Sequence, residues 1–337
     1  MFRAEPIRPH RRAGLLTPIR LATVLLVTTL TAIGANPAAA EPVSDALPIG
    51  VEASFMVFDR ETGDSSVQFD AHKQYRSASV VKLLIALDYL ESHDLSLTTP
   101  SDDLARLQAM LRSSDDDAAS YLWIENGWDK IIERMVAKLG LTDTAPPATR
   151  GMWGYTAISA ADVVTIYRYI LDTANPAIRD FMMSNLHQST KCGKDGFDQS
   201  FGIARALAHQ PRAVKQGWSG FGDEPDKVCA PGNPKPPIPQ GALNTAATGP
   251  VVFGEDGVRE TWSLTQGTTP ADGPVINLKK RAMHTTGTVG EHDEKIVVLL
   301  TLEPTGTTWD DAAQRLTLLT KTIDLADWGA ATGFGAR

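Results

Sequence analysis

A serine and a lysine stand three residues apart at the start of a long apolar segment. They are Ser79 and Lys82, in the sequence SVVK, and the apolar segment continues to Leu90. Positions i and i+3 lie on the same face of a helix, so the hydroxyl and the amine face the same way. A lysine partly removed from water can have a lowered pKa and act as a base. Because a helix start also offers unpaired N–H groups to an oxyanion, the pair has the chemistry of an activated serine nucleophile.

Two further polar motifs follow in chain order. The first, SDDDAAS, begins at Ser114, where serine and aspartate could also serve only as N-caps of the next helix. The second, KQGW, begins at Lys215 inside an apolar strand. A glycine beside a lysine in a strand favours close approach of a ligand to the backbone.

The elements that must position these motifs follow from hydrophobic periodicity. Strands are predicted at 51–59, 65–69, 212–219, 281–288 and 295–303, and helices at 79–90, 101–111, 115–125, 128–139, 159–172, 176–187 and 308–327. Strands at both ends with helices between them predict an α+β domain. Its antiparallel sheet takes strands from both termini and is flanked by helices, with a helical middle part.

The predicted domain organisation is a leader, one domain and a tail. Residues 1–40 form the leader, 41–327 the domain and 328–337 the tail; the α/β part covers 48–78 and 190–327, and the helical part 79–189. Residues 222–280 are rich in proline and glycine and form a surface insertion. Within it, an Asp256-Gly257 turn between two short strands predicts a hairpin, with a disordered loop as the alternative.

The first 40 residues have the order of a secretory signal peptide. Five arginines precede an apolar stretch at 21–34, and small residues at 38–40 place the cleavage site near Ala40. An uncleaved signal anchor is the alternative. Export would expose Cys192 and Cys229 to an oxidising compartment, which predicts a disulfide rather than two buried free thiols.

Composition excludes several classes of function. The chain has 337 residues and a net charge of -8, which argues against a basic nucleic-acid-binding surface. Its seven histidines show no HExxH spacing, and no glycine-rich phosphate loop follows a strand. We therefore expect no metal, no cofactor and no nucleic acid as partner. We also expect a monomer.

The three motifs in this order resemble the Ser-x-x-Lys, Ser-Asp-Asn and Lys-Thr-Gly motifs of the serine β-lactamases and penicillin-binding proteins. The resemblance covers nearly the whole chain after the leader and is nearest to the class A β-lactamases. It implies that Ser79 is acylated, that Lys82 is its base or proton relay, and that Ser114 protonates the leaving nitrogen. Lys215 would support this shuttle and attract a substrate carboxylate. The backbone N–H groups of Ser79 and Trp218 would form the oxyanion hole.

The chain departs from the family pattern in the second and third motifs. Asp116 stands where the family has asparagine, and a carboxylate cannot donate to a substrate carbonyl unless it is protonated. Gln216 stands where threonine or serine helps to hold the substrate carboxylate. The resemblance implies that Asp116, Gln216 and Gly217 contact the substrate. His284, in an His-Thr-Thr-Gly sequence, is a rival for the third motif, but only one strand follows it, which favours Lys215.

A third departure concerns hydrolysis of the acyl-enzyme. Class A enzymes carry a loop glutamate that activates the deacylating water, whereas this chain has no glutamate between Glu133 and Glu224. In the corresponding loop, 140–157, Asp143 is the only acid and lies at the loop's start. The sequence predicts an exported serine hydrolase that is acylated by a β-lactam or a cell-wall peptide and deacylates slowly. The alternative is a cell-envelope binding or structural protein that kept the fold without efficient catalysis.

Overall fold

The computed structural model describes residues 47–93, 100–230, 252–253, 259–260 and 276–332, with side chains of the last segment described to Asp324. The predicted signal peptide and most of the insertion lie outside these residues.

One antiparallel sheet takes its strands from both ends of the chain. Its strands are β1 (Glu52–Asp59), β2 (Ser65–Phe69), β5 (Arg212–Ser219), β8 (Arg281–Val289) and β9 (Lys295–Glu303), in the order β2-β1-β9-β8-β5. The short strands β3 (Tyr75–Arg76) and β4 (Ala157–Ile158) pair separately, as do β6 (Val252–Phe253) and β7 (Arg259–Glu260). The predicted α+β architecture is confirmed. The insertion does contain a two-stranded pair, and its predicted turn lies outside the described residues.

The helices lie on both sides of the sheet and include most of those predicted. They are α1 (Lys82–Ser92), α2 (Ser101–Ser113), α3 (Asp116–Glu125), α4 (Lys130–Leu139), α5 (Ala160–Arg168), α6 (Pro176–His187), α7 (Ile203–Ala206) and α8 (Trp309–Thr332). A π-helical turn, Tyr169–Thr173, continues α5.

The hydrophobic core has two layers because both faces of the sheet are covered. In β9, Ile296, Val298 and Leu300 pack toward the helical part around α1, while Val297 and Leu299 pack toward α8. Alternate side chains of a strand point to opposite faces. The unbroken apolar run of this strand therefore reflects burial on both sides.

The structure divides the predicted helix 79–90 into two parts. Ala78–Val81 form a 3₁₀ turn, and the α-helix begins at Lys82. Ala78 has φ +45, a left-handed conformation that is uncommon outside glycine, and Val80 N–H donates to Ser77 O at 3.1 Å. This tight turn sets the position of Ser79 before the regular helix starts.

The predicted disulfide is confirmed. Cys192 and Cys229 are bonded, with Cα atoms 5.6 Å apart, within the normal range for disulfides. Cys229 N–H also donates to Gly196 O at 2.8 Å. The bond joins the loop at 188–202 to the segment that follows β5.

Candidate active site

Ser79 lies in the 3₁₀ turn, one helical turn before Lys82. The turn is anchored by Ser77, whose N–H donates to Thr156 O at 2.8 Å and whose hydroxyl donates to Gly154 O at 3.3 Å. Ser79 is 6% exposed. The loop that contains residues 154–156 therefore packs directly against the turn that carries the predicted nucleophile.

Two lysines from different parts of the fold meet at one hydroxyl. Lys82 Nζ, from α1, lies 3.2 Å from Ser114 Oγ and also donates to Ser114 O at 2.8 Å. Lys215 Nζ, from β5, lies 2.9 Å from the same Ser114 Oγ. Both amines are buried. Within the described residues, no hydrogen bond joins Ser79 Oγ to Lys82 or Ser114, so the site is assembled around Ser114.

The segment between α2 and α3 explains how Ser114 is free to meet the lysines. Ser114 ends α2 in a left-handed conformation, φ 54 and ψ 38. The next residue, Asp115, caps α3 by accepting a hydrogen bond from Ala118 N–H at 3.0 Å. Of the serine and the aspartate that could cap this helix, Asp115 is the N-cap in the structure. The Ser114 hydroxyl contacts the two lysines.

Asp116 pairs with one of the two lysines. Its Oδ1 lies 2.5 Å from Lys82 Nζ, and its side chain is 51% exposed whereas that of Lys82 is fully buried. The Trp153 ring lies beside the same ammonium, with its centroid 4.9 Å from Nζ. The Lys82 amine therefore contacts both a carboxylate oxygen and an aromatic face.

Lys215 has a different environment. Its Nζ contacts Ser114 Oγ and Gln216 O, at 2.9 and 3.2 Å. Burial, together with the charge of Lys82, holds the pKa of Lys215 well below its usual value, against the opposing charges of Asp116 and Asp195. The two lysines on Ser114 therefore differ in electrostatic surroundings, although both are buried.

Gly217 allows β5 to approach the 3₁₀ turn. A Cβ at this position would lie 2.9 Å from Val80 Cγ2, 3.0 Å from Ser77 O and 3.3 Å from Val80 N. The sequence predicted that a ligand would approach the backbone at this glycine. In the structure, the 3₁₀ turn that carries Ser79 makes this close approach instead. It brings the segments that carry the Ser79 and Trp218 amides, the predicted oxyanion hole, face to face.

Gln216 points to the opposite face of β5 from Lys215 and Gly217. Its amide nitrogen donates to Gln199 O at 3.2 Å and Phe201 O at 2.7 Å, and the side chain is buried. Both amide hydrogens therefore hold the loop at 188–202 against the strand. Its substrate contact, like those of Asp116 and Gly217, stays a prediction.

Two residues of the site region were missed by the sequence motifs. Trp153 is buried beside Lys82, and its Nε1–H donates to Ser120 Oγ on α3 at 3.2 Å. Asp195 accepts hydrogen bonds from Trp218 Nε1 at 2.9 Å and Phe197 N at 3.1 Å. Burial, and then the charge of Asp116, raises the pKa of Asp195. Trp153 begins a 3₁₀ turn, Trp153–Tyr155, and Asp195 lies in a loop. The only sequence signal at either place is a tryptophan or an acid followed by a glycine.

Asp143 and His284 have other partners. Asp143 Oδ2 lies 2.8 Å from His72 Nδ1 and accepts from Ser159 Oγ at 2.8 Å. His284 lies on β8, the strand beside β5, as expected. It accepts from Thr301 N–H through Nδ1 at 3.1 Å, so its Nε2–H donates to Arg76 O at 2.9 Å. Burial lowers the pKa of His284 to about 4, which fits a neutral imidazole.

Two surveys of the described residues complete the description of the site. In that part of the chain, no three histidine, cysteine or acidic side chains are grouped as metal ligands would be. None of the helices in the same residues has the length and apolar character needed to cross a membrane.

Comparison with protein sequences gives a partial match. The chain is 36% identical over 182 residues to a Mycobacterium bovis protein named "Putative lipoprotein LppW", and equally to the Mycobacterium tuberculosis protein of that name. The match covers 53% of this chain and 57% of each relative. The chain thus matches little more than half the length of these relatives. No family model matches the sequence.

Comparison with solved structures gives matches across most of the chain. PBP-A superimposes with a TM-score of 0.57 at 12% identity, over 86% of this chain and 95% of that structure. A class A β-lactamase from Mycobacterium abscessus gives 0.54 at 16% identity, over 89% and 99%. The TLA-3 extended-spectrum β-lactamase gives 0.56 at 11% identity, over 85% and 97%. The chain therefore has the fold of the serine β-lactamases and penicillin-binding proteins.

Proposed function

We propose that the chain is an exported serine hydrolase of the β-lactamase and penicillin-binding class that forms an acyl-enzyme on Ser79. One observation carries the proposal. Ser114 Oγ lies 3.2 Å from the buried amine of Lys82 and 2.9 Å from that of Lys215. Lys82 in turn follows Ser79 by one helical turn. A hydroxyl between two amines is a route for protons, which a merely structural N-cap does not need.

The proposed reaction is transfer of an acyl group from an amide to Ser79. Ser79 Oγ bonds to the scissile carbonyl carbon, and the N–H groups of Ser79 and Trp218 stabilise the oxyanion. The serine proton leaves through the amine and hydroxyl groups, with Lys82 as base or relay. The carbon–nitrogen bond then breaks, and Ser114 protonates the leaving nitrogen while Lys215 supports it.

Slow deacylation is part of the proposal. Hydrolysis of the ester needs a base that activates water. General-base catalysis of this kind typically increases the rate 10²–10⁴-fold. Trp153 lies beside Lys82 in the loop that carries a glutamate in class A enzymes, and Asp143 is bonded to His72 and Ser159. Neither offers a base to water at Ser79, so the adduct is expected to be long-lived.

The substrate class follows from the fold and the predicted export. We propose a β-lactam or a cell-wall peptide amide as the acyl donor, with a monomeric enzyme outside the cytoplasm that uses no cofactor, metal or nucleic acid. The lipoprotein name of the mycobacterial relatives supports an envelope location. We also propose that the protein reaches this location after a signal peptide is cleaved near Ala40.

The test is the mass of the intact protein after incubation with a fluorescent penicillin. We expect one adduct, located on Ser79 by peptide mapping and absent from Ser79→Ala, with the folded state of the variant checked by thermal unfolding. Hydrolysis of a chromogenic cephalosporin should be far below the turnover of about 10 s⁻¹ typical of enzymes. Turnover at that level would contradict slow deacylation, and the absence of both an adduct and hydrolysis would contradict the proposal as a whole.

A second function is favoured by the contact between Asp116 and Lys82. The 2.5 Å ion pair occupies the amine expected to receive the serine proton. A cell-envelope binding protein could keep such a pair, since it needs no free base. Ligand binding that is equal in the wild type and Ser79→Ala, without an adduct in either, would support this alternative.

A further inference from the structure

The hydrogen bonds of Lys82 leave it poorly suited to accept a proton. Two of its three partners, Ser114 O and Asp116 Oδ1, are acceptors only, so at least two N–H groups of the amine are donated. The third partner is Ser114 Oγ, and the Trp153 ring lies on another side of the amine. An ammonium satisfies all these contacts, and it has no lone pair.

The hydrogen bonds of Lys215 allow the opposite state. Lys215 Nζ lies 3.2 Å from Gln216 O. Among its partners in the described residues, this carbonyl is the only one that can act solely as an acceptor. The other partner, Ser114 Oγ at 2.9 Å, can either accept or donate. A neutral amine therefore satisfies both contacts and keeps a lone pair for the Ser114 proton.

The charged groups around Lys215 favour this assignment. Those that face it are Lys82 on α1, Asp116 on α3 and Asp195 in the loop at 188–202. On the neighbouring strand, His284 is hydrogen-bonded as a neutral ring, and Tyr167 of α5 contacts Thr286, whose hydroxyl donates to Lys215 O. Asp116 is bonded to Lys82, and among the described residues no carboxylate is bonded to the buried Lys215.

We propose that Lys215, acting through Ser114, is the proton acceptor for acylation and that Lys82 is a fixed ammonium that positions Ser114. The inference rests on the proposed function and replaces Lys82 by Lys215 as the base within it. Once substrate binding brings the two hydroxyls within hydrogen-bond distance, the proton of Ser79 passes to Ser114 Oγ as the Ser114 proton passes to Lys215 Nζ. After the carbon–oxygen bond forms and the carbon–nitrogen bond breaks, Lys215 returns the proton through Ser114 to the leaving nitrogen.

The pH profile of acylation distinguishes the two lysines. The rate constant for labelling by the fluorescent penicillin is measured between about pH 5 and 10 for the wild type, Lys215→Arg and Asp116→Asn. If Lys215 must be neutral, the wild-type rate rises with pH at values below the ordinary lysine pKa of about 10.4. Lys215→Arg should lose the rise and about 10²–10⁴-fold of the rate, because a guanidinium does not deprotonate.

Asp116→Asn provides the matched comparison, since it frees Lys82 from its carboxylate and leaves Lys215 in place. We expect the rise in its labelling rate to move to lower pH, because the charge that favours protonated Lys215 is gone. If Asp116→Asn accelerates labelling by more than tenfold and Lys215→Arg keeps the rise, Lys82 is the base and the inference is wrong.

A second variant guards against misfolding of Lys215→Arg. Lys215→Ala is assayed with added methylamine, and we expect partial recovery of labelling that follows the fraction of unprotonated amine. Recovery that is independent of amine protonation, or none in a folded variant, contradicts the inference. Failure of wild-type protein to form any Ser79 adduct contradicts the proposed function itself, whereas an adduct with unchanged pH profiles in the variants contradicts this inference alone.

Discussion

The elements that carry the three motifs keep the order expected from the family, whereas the two loops beside them bring residues to the site that the motifs do not include. Ser79, Ser114 and Lys215 stand on a helix start, a helix–helix junction and a strand, in the expected order. The loops at 140–156 and 188–202 instead bring Trp153 and Asp195 to the same region. The elements proposed to form an acyl-enzyme are therefore separate from the loops proposed to set its lifetime and its local charge.

The comparison also separates two kinds of attachment. The motif elements meet through buried packing, as at Gly217, where the strand touches the 3₁₀ turn. The loop at 188–202 is held by the Gln216 amide and by the Cys192–Cys229 disulfide. Perturbing one attachment at a time should therefore separate effects on acylation from effects on the loops.

The largest expected effect is on stability, when the disulfide is removed. Changing Cys192 and Cys229 together to serine should lower the free energy of unfolding by about 3–4 kcal/mol, because the bond links residues separated by 37 positions. Equilibrium unfolding in urea measures the change, with the reduced wild type as a matched sample. A loss below about 1 kcal/mol would show that the loop is held mainly by its hydrogen bonds.

The next effect tests the contact between strand and turn. In Gly217→Ala the new Cβ would approach Ser77 O to 3.0 Å, and a backbone atom cannot rotate away as Val80 Cγ2 can. We expect a loss of stability of about 1–3 kcal/mol from overpacking. Acylation should also slow at least tenfold as the Ser79 and Trp218 amides move apart, a change of about 1.4 kcal/mol.

Gly306→Ala is the control for this prediction, since nothing lies within 4 Å of a Cβ at that position. It should leave stability and labelling unchanged. Normal acylation in Gly217→Ala would indicate that the turn adjusts without moving the oxyanion hole.

The sequence predicted the framework of the site because that framework rests on local patterns. The apolar run of β9 and the change of period after β2 located the sheet and α1, and the motif order located Ser114 and Lys215. The left-handed Ala78 and the 3₁₀ turn were not predicted, since both result from packing of the turn against other segments. The sequence could not decide between Ser114 and Asp115 as the cap, because either side chain can accept that bond.

The loop contributions could not be predicted for a different reason. The position of Trp153 beside Lys82 depends on how residues 154–156 bond to the 3₁₀ turn, which no periodicity encodes. Asp195 likewise reaches Trp218 because the Gln216 amide and the disulfide hold the loop at 188–202 in place. Contacts between distant segments decide both positions, whereas strands and helices leave a signal within their own residues.

The smallest expected effect concerns the lifetime of the adduct and tests the loop at 140–156 directly. Trp153→Glu places a carboxyl group beside Lys82, where the indole ring now lies 4.9 Å from Nζ. A base near water at the acyl face should accelerate deacylation. A base not otherwise optimised should fall short of the usual 10²–10⁴-fold, so we expect about tenfold. Decay of the Ser79 adduct, followed by intact mass after removal of free penicillin, gives the rate. Trp153→Gln has nearly the same shape without the charge, so equal decay in the two variants would mean that added space, and not a base, admits water. Decay as slow as in the wild type in both would show that the lifetime of the adduct is set elsewhere than at Trp153.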